Sequence, residues 1–195
     1  MKKDIILAGV GGQGILSIAT IIGYAVVQSD LNLKQAEVHG MSQRGGAVES
    51  HLRISNKEIH SDLVPHGRSD MIISLEPMES LRYFPYLKHN GWLITNITPF
   101  VNIPNYPEME HLLKEIRGHK NSIAIDGDAI AKKIGSPRST NMVILGAAAP
   151  FLEIPFEMLE NSIRTVFCRK GEDIVKKNLD ALSRGRDFAE KHIQK

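Results

Sequence analysis

Cysteine is nearly absent. The chain has one, Cys168, in 195 residues, which excludes an internal disulfide and any four-cysteine iron–sulfur or zinc site built from this chain alone. A redox metal working with this chain must therefore sit on another one. Cys168 closes an apolar, helix-like segment, so it is expected as a buried or half-buried structural thiol. An excess of one charge is missing as well: 24 basic residues face 22 acidic ones, a net charge of +2 with no basic block. That argues against nucleic acid as a partner. Long apolar runs are also lacking. Residues 15–27 are interrupted by Ser17, Thr20, Gly23 and Tyr24, and the run falls short of the roughly 20 apolar residues that a membrane span requires. Met1-Lys2-Lys3-Asp4 leads into a short apolar run without the core or cleavage site of a signal peptide. The expected compartment is the cytoplasm, with no membrane partner.

Repeats, low-complexity tracts and an interdomain linker are absent, and the length suits one domain over residues 1–195. Residues 4–8 read as a buried strand ending at glycine, and residues 14–28 as a helix with apolar residues on nearly every side. Residues 34–39 and 47–54 read as strands. A turn at Ser55-Asn56-Lys57 then predicts a hairpin into a short strand at 58–60, so this part is expected to be antiparallel. Residues 71–75 form a strand closed by Glu76-Pro77. The spacing of Leu81, Phe84 and Leu87 predicts a helix over 79–89 that Asn90-Gly91 would stop. Strands follow at 92–97 and 122–126, with a proline-bearing loop at 99–107 between them. The last third is helical: 128–134, 140–151, 156–167 and a charged, peripheral surface helix at 172–193. Strands alternating with helices around a central hairpin predict an α/β fold: one three-layer, Rossmann-like domain with a mixed sheet.

Two glycine loops carry the chemistry. Gly9, Gly11 and Gly14, with Gly12 and Gln13 between the last two, satisfy G-x-G-x-x-G directly after a strand. Glycine there permits a tight turn and lets backbone amides approach an anion at a helix amino terminus. A nicotinamide site would also want an acidic residue at the end of the second strand, about 20 residues further on. Asp30 precedes that strand and Glu37 lies inside it, so neither is well placed. The second loop contains Ser42, Gln43, Arg44, Gly45 and Gly46. Arg44 offers a planar fork for phosphate or carboxylate, the glycines free backbone amides, and Ser42 and Gln43 add neutral hydrogen-bonding groups. The competing reading of each loop is structural: close strand-to-helix packing for the first, a surface turn with a solvated arginine for the second.

Other constellations fall away. His39, His51, His60 and His66 match no ligand spacing. Asp126-Gly127-Asp128 inverts the Gly-Asp-Gly of thiamine diphosphate enzymes and reads as a strand end with a helix cap. No nucleophile elbow, P-loop or catalytic triad is present. On its own residues the chain is an incomplete enzyme.

Residues 9–14, Met41-Ser42-Gln43-Arg44-Gly45-Gly46, residues 70–79 with Pro77, residues 91–96 and Asn141-Met142-Val143-Ile144-Leu145-Gly146-Ala147 together resemble the gamma-type domain of the 2-oxoacid:ferredoxin oxidoreductases. The resemblance runs over roughly residues 3–167, in the family's order. The form Gly-Met-Ser-Gln-Arg-Gly-Gly on a free-standing chain most resembles the family's indolepyruvate branch; pyruvate-type gamma subunits usually show Pro-Glu-Met-Arg-Gly-Gly. The resemblance implies the small subunit of an enzyme that is inactive as this chain alone. A large subunit would carry thiamine diphosphate, Mg and [4Fe-4S] clusters, with coenzyme A as co-substrate and ferredoxin reached through the complex. This chain would bind no cofactor by itself and supply no covalent catalyst. Its two glycine loops would form an anion-receptive rim towards coenzyme A phosphates or the substrate carboxylate. A gamma subunit of a pyruvate, 2-oxoglutarate or ketoisovalerate enzyme, a stand-alone NAD(P)-binding protein and a purely structural subunit stay open beside this. So does a homodimer of the isolated chain, through the first helix or the small residues 146–149.

Overall fold

In β1 (Lys2–Val10) every residue from Asp4 onward is buried, the pattern of a strand covered on both faces. The computed structural model describes residues 1–40 and 45–193 and sets β1 inside a six-stranded sheet of order β2-β3-β1-β4-β5-β6. The other strands are β2 (Asn32–His39), β3 (Ala47–Ser55), β4 (Ser69–Ser74), β5 (Leu87–Asn96) and β6 (Ser122–Ile125). From β1 to β6 the pairings are parallel, whereas β3 runs antiparallel to both β1 and β2. The sheet is therefore mixed, as the sequence predicts.

Strand alternation sorts the core into two layers. Ile5 and Leu7 join one cluster with Ile18 and Ile22 of α1 (Ile15–Val27), Ala131 of α4 (Gly127–Lys133), Val143 of α5 (Thr140–Ala148), Leu159 of α6 (Phe156–Phe167) and Leu182 of α7 (Glu172–Ile193). Ile6 and Ala8 join the other with Tyr83, just after α2 (Pro77–Arg82), and Ile116 of α3 (Met109–Gly118). Helices thus cover the sheet on both sides, giving three layers. Inside the first layer, a β-carbon at Gly146 would lie 2.0 Å from the Leu182 carbonyl oxygen, and one at Gly185 would lie 1.9 Å from that of Val143. The small residues of α5 are used here, to seat α7 backbone against backbone. Charged residues occupy the outer face of α7, while Val175, Ala181, Leu182 and Ala189 are buried on its inner face.

Four expectations change. No strand forms at residues 58–60, because β3 is already paired along both edges, with Ser55 opposite Lys2 on one side and Asn32 on the other. The helix expected over 79–89 is α2 followed by a 3-10 turn at Phe84–Tyr86, and the chain is in β5 from Leu87. Pro85 cannot continue an α-helix, and a bulge opposite Ser69–Met71 takes up the extra residues before Trp92. A helix forms where the sequence pattern singled out none: α3 buries Leu112 and Ile116, one turn apart. Finally, Cys168 is exposed. The buried stripe of α6 runs through Leu159, Ile163 and Phe167, and the next residue points about 100° away from it.

Candidate functional site

The first glycine loop leaves the carboxyl end of β1 and is closed by its own glutamine. Gln13 Oε1 accepts from the Val10 amide at 2.8 Å, and its Nε2 donates to the Leu75 carbonyl at 3.1 Å. This side chain fixes the turn. Gly14 caps α1 with φ of 91°, and Asn141 Nδ2 donates to its carbonyl at 3.2 Å. A β-carbon at Gly14 would stand 2.5 Å from that same nitrogen, so only glycine fits. Gly12, with φ of 102°, faces open space. α1 has neither a side-chain cap nor an acidic residue in its first turn, which leaves its positive end uncompensated. Of the predicted residues in this loop, Gln13 and Gly14 build the turn, and Gly12 has open space beside its α-carbon.

The second loop meets the first. The Gly11 amide donates to the Gly46 carbonyl at 2.9 Å, beyond the last β1–β3 pair, Val10 with Ala47. Asn102 Nδ2 donates to the Gly45 carbonyl at 2.6 Å, tying in the loop between β5 and α3. Ser42, Gln43 and Arg44 lie outside the described residues.

That third loop hangs on Glu76, a fully buried carboxylate at the end of β4. Its Oε2 accepts from the Glu79 amide at 2.8 Å, and its Oε1 accepts from the Phe100 amide at 3.2 Å and from the Tyr106 hydroxyl. Burial, and then the hydrogen bond to Glu76, push the Tyr106 phenol well above its ordinary range. Burial likewise raises the Glu79 carboxyl, against the lowering effect of Arg82 beside it.

A cleft of about 840 Å³ opens at the carboxyl ends of β1, β4 and β5, with the first glycine loop on its wall. In α/β sheets that is where ligands bind: between strands whose crossovers leave to opposite faces. Asp128 is held within the wall, its two oxygens accepting from the Thr140 hydroxyl at 2.9 Å and from Asn96 Nδ2 at 2.8 Å. Asp126 caps α4 by accepting from the Ala129 amide at 2.8 Å. Asp126 is thus the helix cap that the sequence suggested, and Asp128 is part of the wall. Among the described residues no cluster of histidine, cysteine and carboxylate side chains is arranged to hold a metal ion. Gly45 and Gly46 stand beside Gly11 and do not line this cleft.

Sequence reasoning missed Glu76, Asn96 and the cleft residues after Gly135. A signal was available for two of them: Glu76 and Asn96 are polar residues that follow apolar strands, and the ends of parallel strands collect functional groups.

The model of the pyruvate ferredoxin/flavodoxin oxidoreductase family matches residues 4–188. The chain is 39% identical to the indolepyruvate oxidoreductase subunit IorB of Archaeoglobus fulgidus, over 97% of this chain and 96% of that one. Against the IorB of Pyrococcus horikoshii the identity is 34%, covering 92% and 94%. Among solved structures, the gamma subunit of a keto/oxoacid ferredoxin oxidoreductase from Geobacter sulfurreducens superposes with a TM-score of 0.72 at 24% identity, covering 97% of this chain and 99% of that one. This last likeness speaks for the fold.

Proposed function

Because the chain belongs to the pyruvate ferredoxin/flavodoxin oxidoreductase family, we propose that it is the small subunit of an indolepyruvate:ferredoxin oxidoreductase. That enzyme oxidatively decarboxylates aryl pyruvates such as indolepyruvate to the aryl-acetyl-CoA and CO2, with reduction of ferredoxin. The observation that carries this reading is 39% identity to an indolepyruvate oxidoreductase subunit over nearly the full length of both chains.

The chain's own chemistry supports a division of labour. One cysteine cannot supply the four thiolates of an iron–sulfur cluster, so the [4Fe-4S] clusters belong with thiamine diphosphate and Mg on a large subunit. Here the protein's residues bind and orient. Gly12 with the open end of α1, and the second loop, whose Gly46 meets Gly11 and whose sequence holds Ser42, Gln43, Arg44 and Gly45, would form an anion-receptive rim for coenzyme A phosphates or the substrate carboxylate. The loop held by Glu76 exposes Phe100, Val101 and Ile103 next to that rim, and this apolar surface supports contact with the large subunit. No helix among the described residues is long and apolar enough to cross a membrane; ferredoxin as acceptor favours the cytoplasm.

The test is a pull-down of the chain from anaerobic extract of its source. The eluate is assayed for coenzyme A-dependent reduction of a viologen dye by indolepyruvate, with pyruvate and 2-oxoglutarate in parallel. A co-purifying iron–sulfur subunit with aryl-pyruvate activity is expected. Activity confined to another oxoacid would overturn the substrate, and an eluate without any large subunit would overturn the subunit assignment.

A further inference from the structure

The loop between β5 and α3, residues 98–107, passes beside the end of β4 as a strap. Among the described residues no backbone-to-backbone hydrogen bond joins it to another element, and Pro99, Pro104 and Pro107 have no amide hydrogen to make one. Side chains hold it instead. The Phe100 amide, at 3.2 Å, and the Tyr106 hydroxyl both donate to Glu76 Oε1. The other oxygen of Glu76 serves the first turn of α2, where it accepts from the Glu79 amide at 2.8 Å. Glu76 is fully buried, and a buried acceptor is costly to remove because its donors lose their partner. This one carboxylate is the fixed point of the strap.

From there the strap reaches the second glycine loop. Asn102 Nδ2 donates to the Gly45 carbonyl at 2.6 Å, and a β-carbon on Gly45 would touch the Phe100 ring at 4.0 Å. The Asn102 oxygen is buried without a hydrogen-bond partner, a cost that only the donating end of the amide offsets. Gly46 then accepts from the Gly11 amide at 2.9 Å. The first loop is tied to the same place from the other side, since Gln13 Nε2 donates at 3.1 Å to the carbonyl of Leu75, the neighbour of Glu76. The last residues before α2 therefore hold both glycine loops, one directly and one through the strap.

We propose that Glu76 is a positioning residue which, acting through the strap and Asn102, sets where the second glycine loop meets the first. It touches no ligand and works by orienting the groups that hold Gly45 and Gly46. The inference rests on the subunit reading only for what the two loops would bind. The hydrogen bonds that carry it lie within this chain.

The reporter is the Gly11 amide, whose partner is the Gly46 carbonyl, and the experiment is amide hydrogen exchange followed by NMR on the full chain. Asn102→Ala and Tyr106→Phe loosen the relay at two points along the strap. Glu76→Gln, which cannot accept on both sides at once, tests its centre. Each variant should speed Gly11 exchange by roughly fivefold or more beyond any change at the β1 amides of Ile6 and Leu7, which report global opening. A merely stabilising role would quicken all of these amides in step. In the assembled enzyme, Asn102→Ala should raise the KM for coenzyme A or for the oxoacid about threefold or more, with kcat nearly unchanged. Gly11 exchange that is unaltered in Asn102→Ala and Tyr106→Phe, or quickened only in step with Ile6 and Leu7, would overturn the proposal whether or not Glu76→Gln folds. Exchange is read without the large subunit, so a loosened junction with unchanged KM values upholds the relay and sinks the rim reading of the loops alone.

Discussion

The Gly11 amide and the Gly46 carbonyl are hydrogen-bonded at 2.9 Å, so two turns far apart in sequence form one continuous edge. The bond exists because β3 runs against β1, which brings the start of one strand to the end of the other.

In the assembled enzyme, Arg44→Ala should raise the KM for coenzyme A or for the oxoacid by roughly tenfold, the loss of a charged hydrogen-bonding group. Subunit association should be retained. Steady-state titration of both substrates checks this, and unchanged constants in a normally assembled complex would remove Arg44 from the rim.

Replacing Gly14 by alanine should destabilise the chain by about 2 kcal/mol, combining the cost of left-handed backbone with a clash against Asn141. Chemical denaturation gives the number. In the double variant with Asn141→Gly the clash is relieved and only the backbone cost remains, so the two changes should be less than additive.

Alanine ordinarily stabilises a helix interior relative to glycine by about 0.5–1 kcal/mol. At Gly146 and Gly185 the sign should reverse, with a loss of ~3 kcal/mol or more, because each added β-carbon meets a backbone carbonyl of the facing helix. Lower soluble yield and a lower thermal midpoint are the expected readouts. A stabilised Gly185→Ala would mean that α5 and α7 are further apart than described.

Stability should fall as pH rises past about 10, the ordinary tyrosine range. Tyr83 and Tyr106 both have phenols raised by burial and by hydrogen bonds to Glu49 and Glu76. Above pH ~10 the unfolded chain releases protons that the folded chain still holds, so the contribution is full below that pH and lost above it. The slope reaches at most ~1.4 kcal/mol per pH unit per tyrosine. Tyr106→Phe should flatten it, measured as unfolding free energy between pH 9 and 11. An unchanged slope would mean Tyr106 ionises as freely folded as unfolded.

Much of the fold was legible because local pattern and tertiary context agree. α6 and α7 fall on the predicted residues, and β1 with α1 follow from an apolar run, a glycine turn and an apolar helix. The errors arose where context overrides pattern. Helical spacing at Leu81, Phe84 and Leu87 is real, yet Pro85 stops the helix and β4 recruits Leu87 as a strand partner. A strand at 58–60 had the right turn before it but no free edge to join. In the site, the glycines advertise themselves, but the roles of Gln13 and Asn141 depend on contacts with Leu75 and Gly14 across the fold. That residues from the turns before α5 and α7 line one cleft is likewise invisible until those helices are packed together.

That packing sets an order of events during synthesis. Among the described residues all six strands are complete by Ile125, so a nascent chain can assemble its sheet while the last helices are still in the ribosome. The cleft cannot close then, because Lys170, Ile174 and Lys177 arrive late and are held in place only when Gly185 docks on Val143. A polypeptide cut short before α7 would keep the first glycine turn and lack the opposite wall of the cleft, so the shape of that cleft is decided only when the final turns of the chain have been translated.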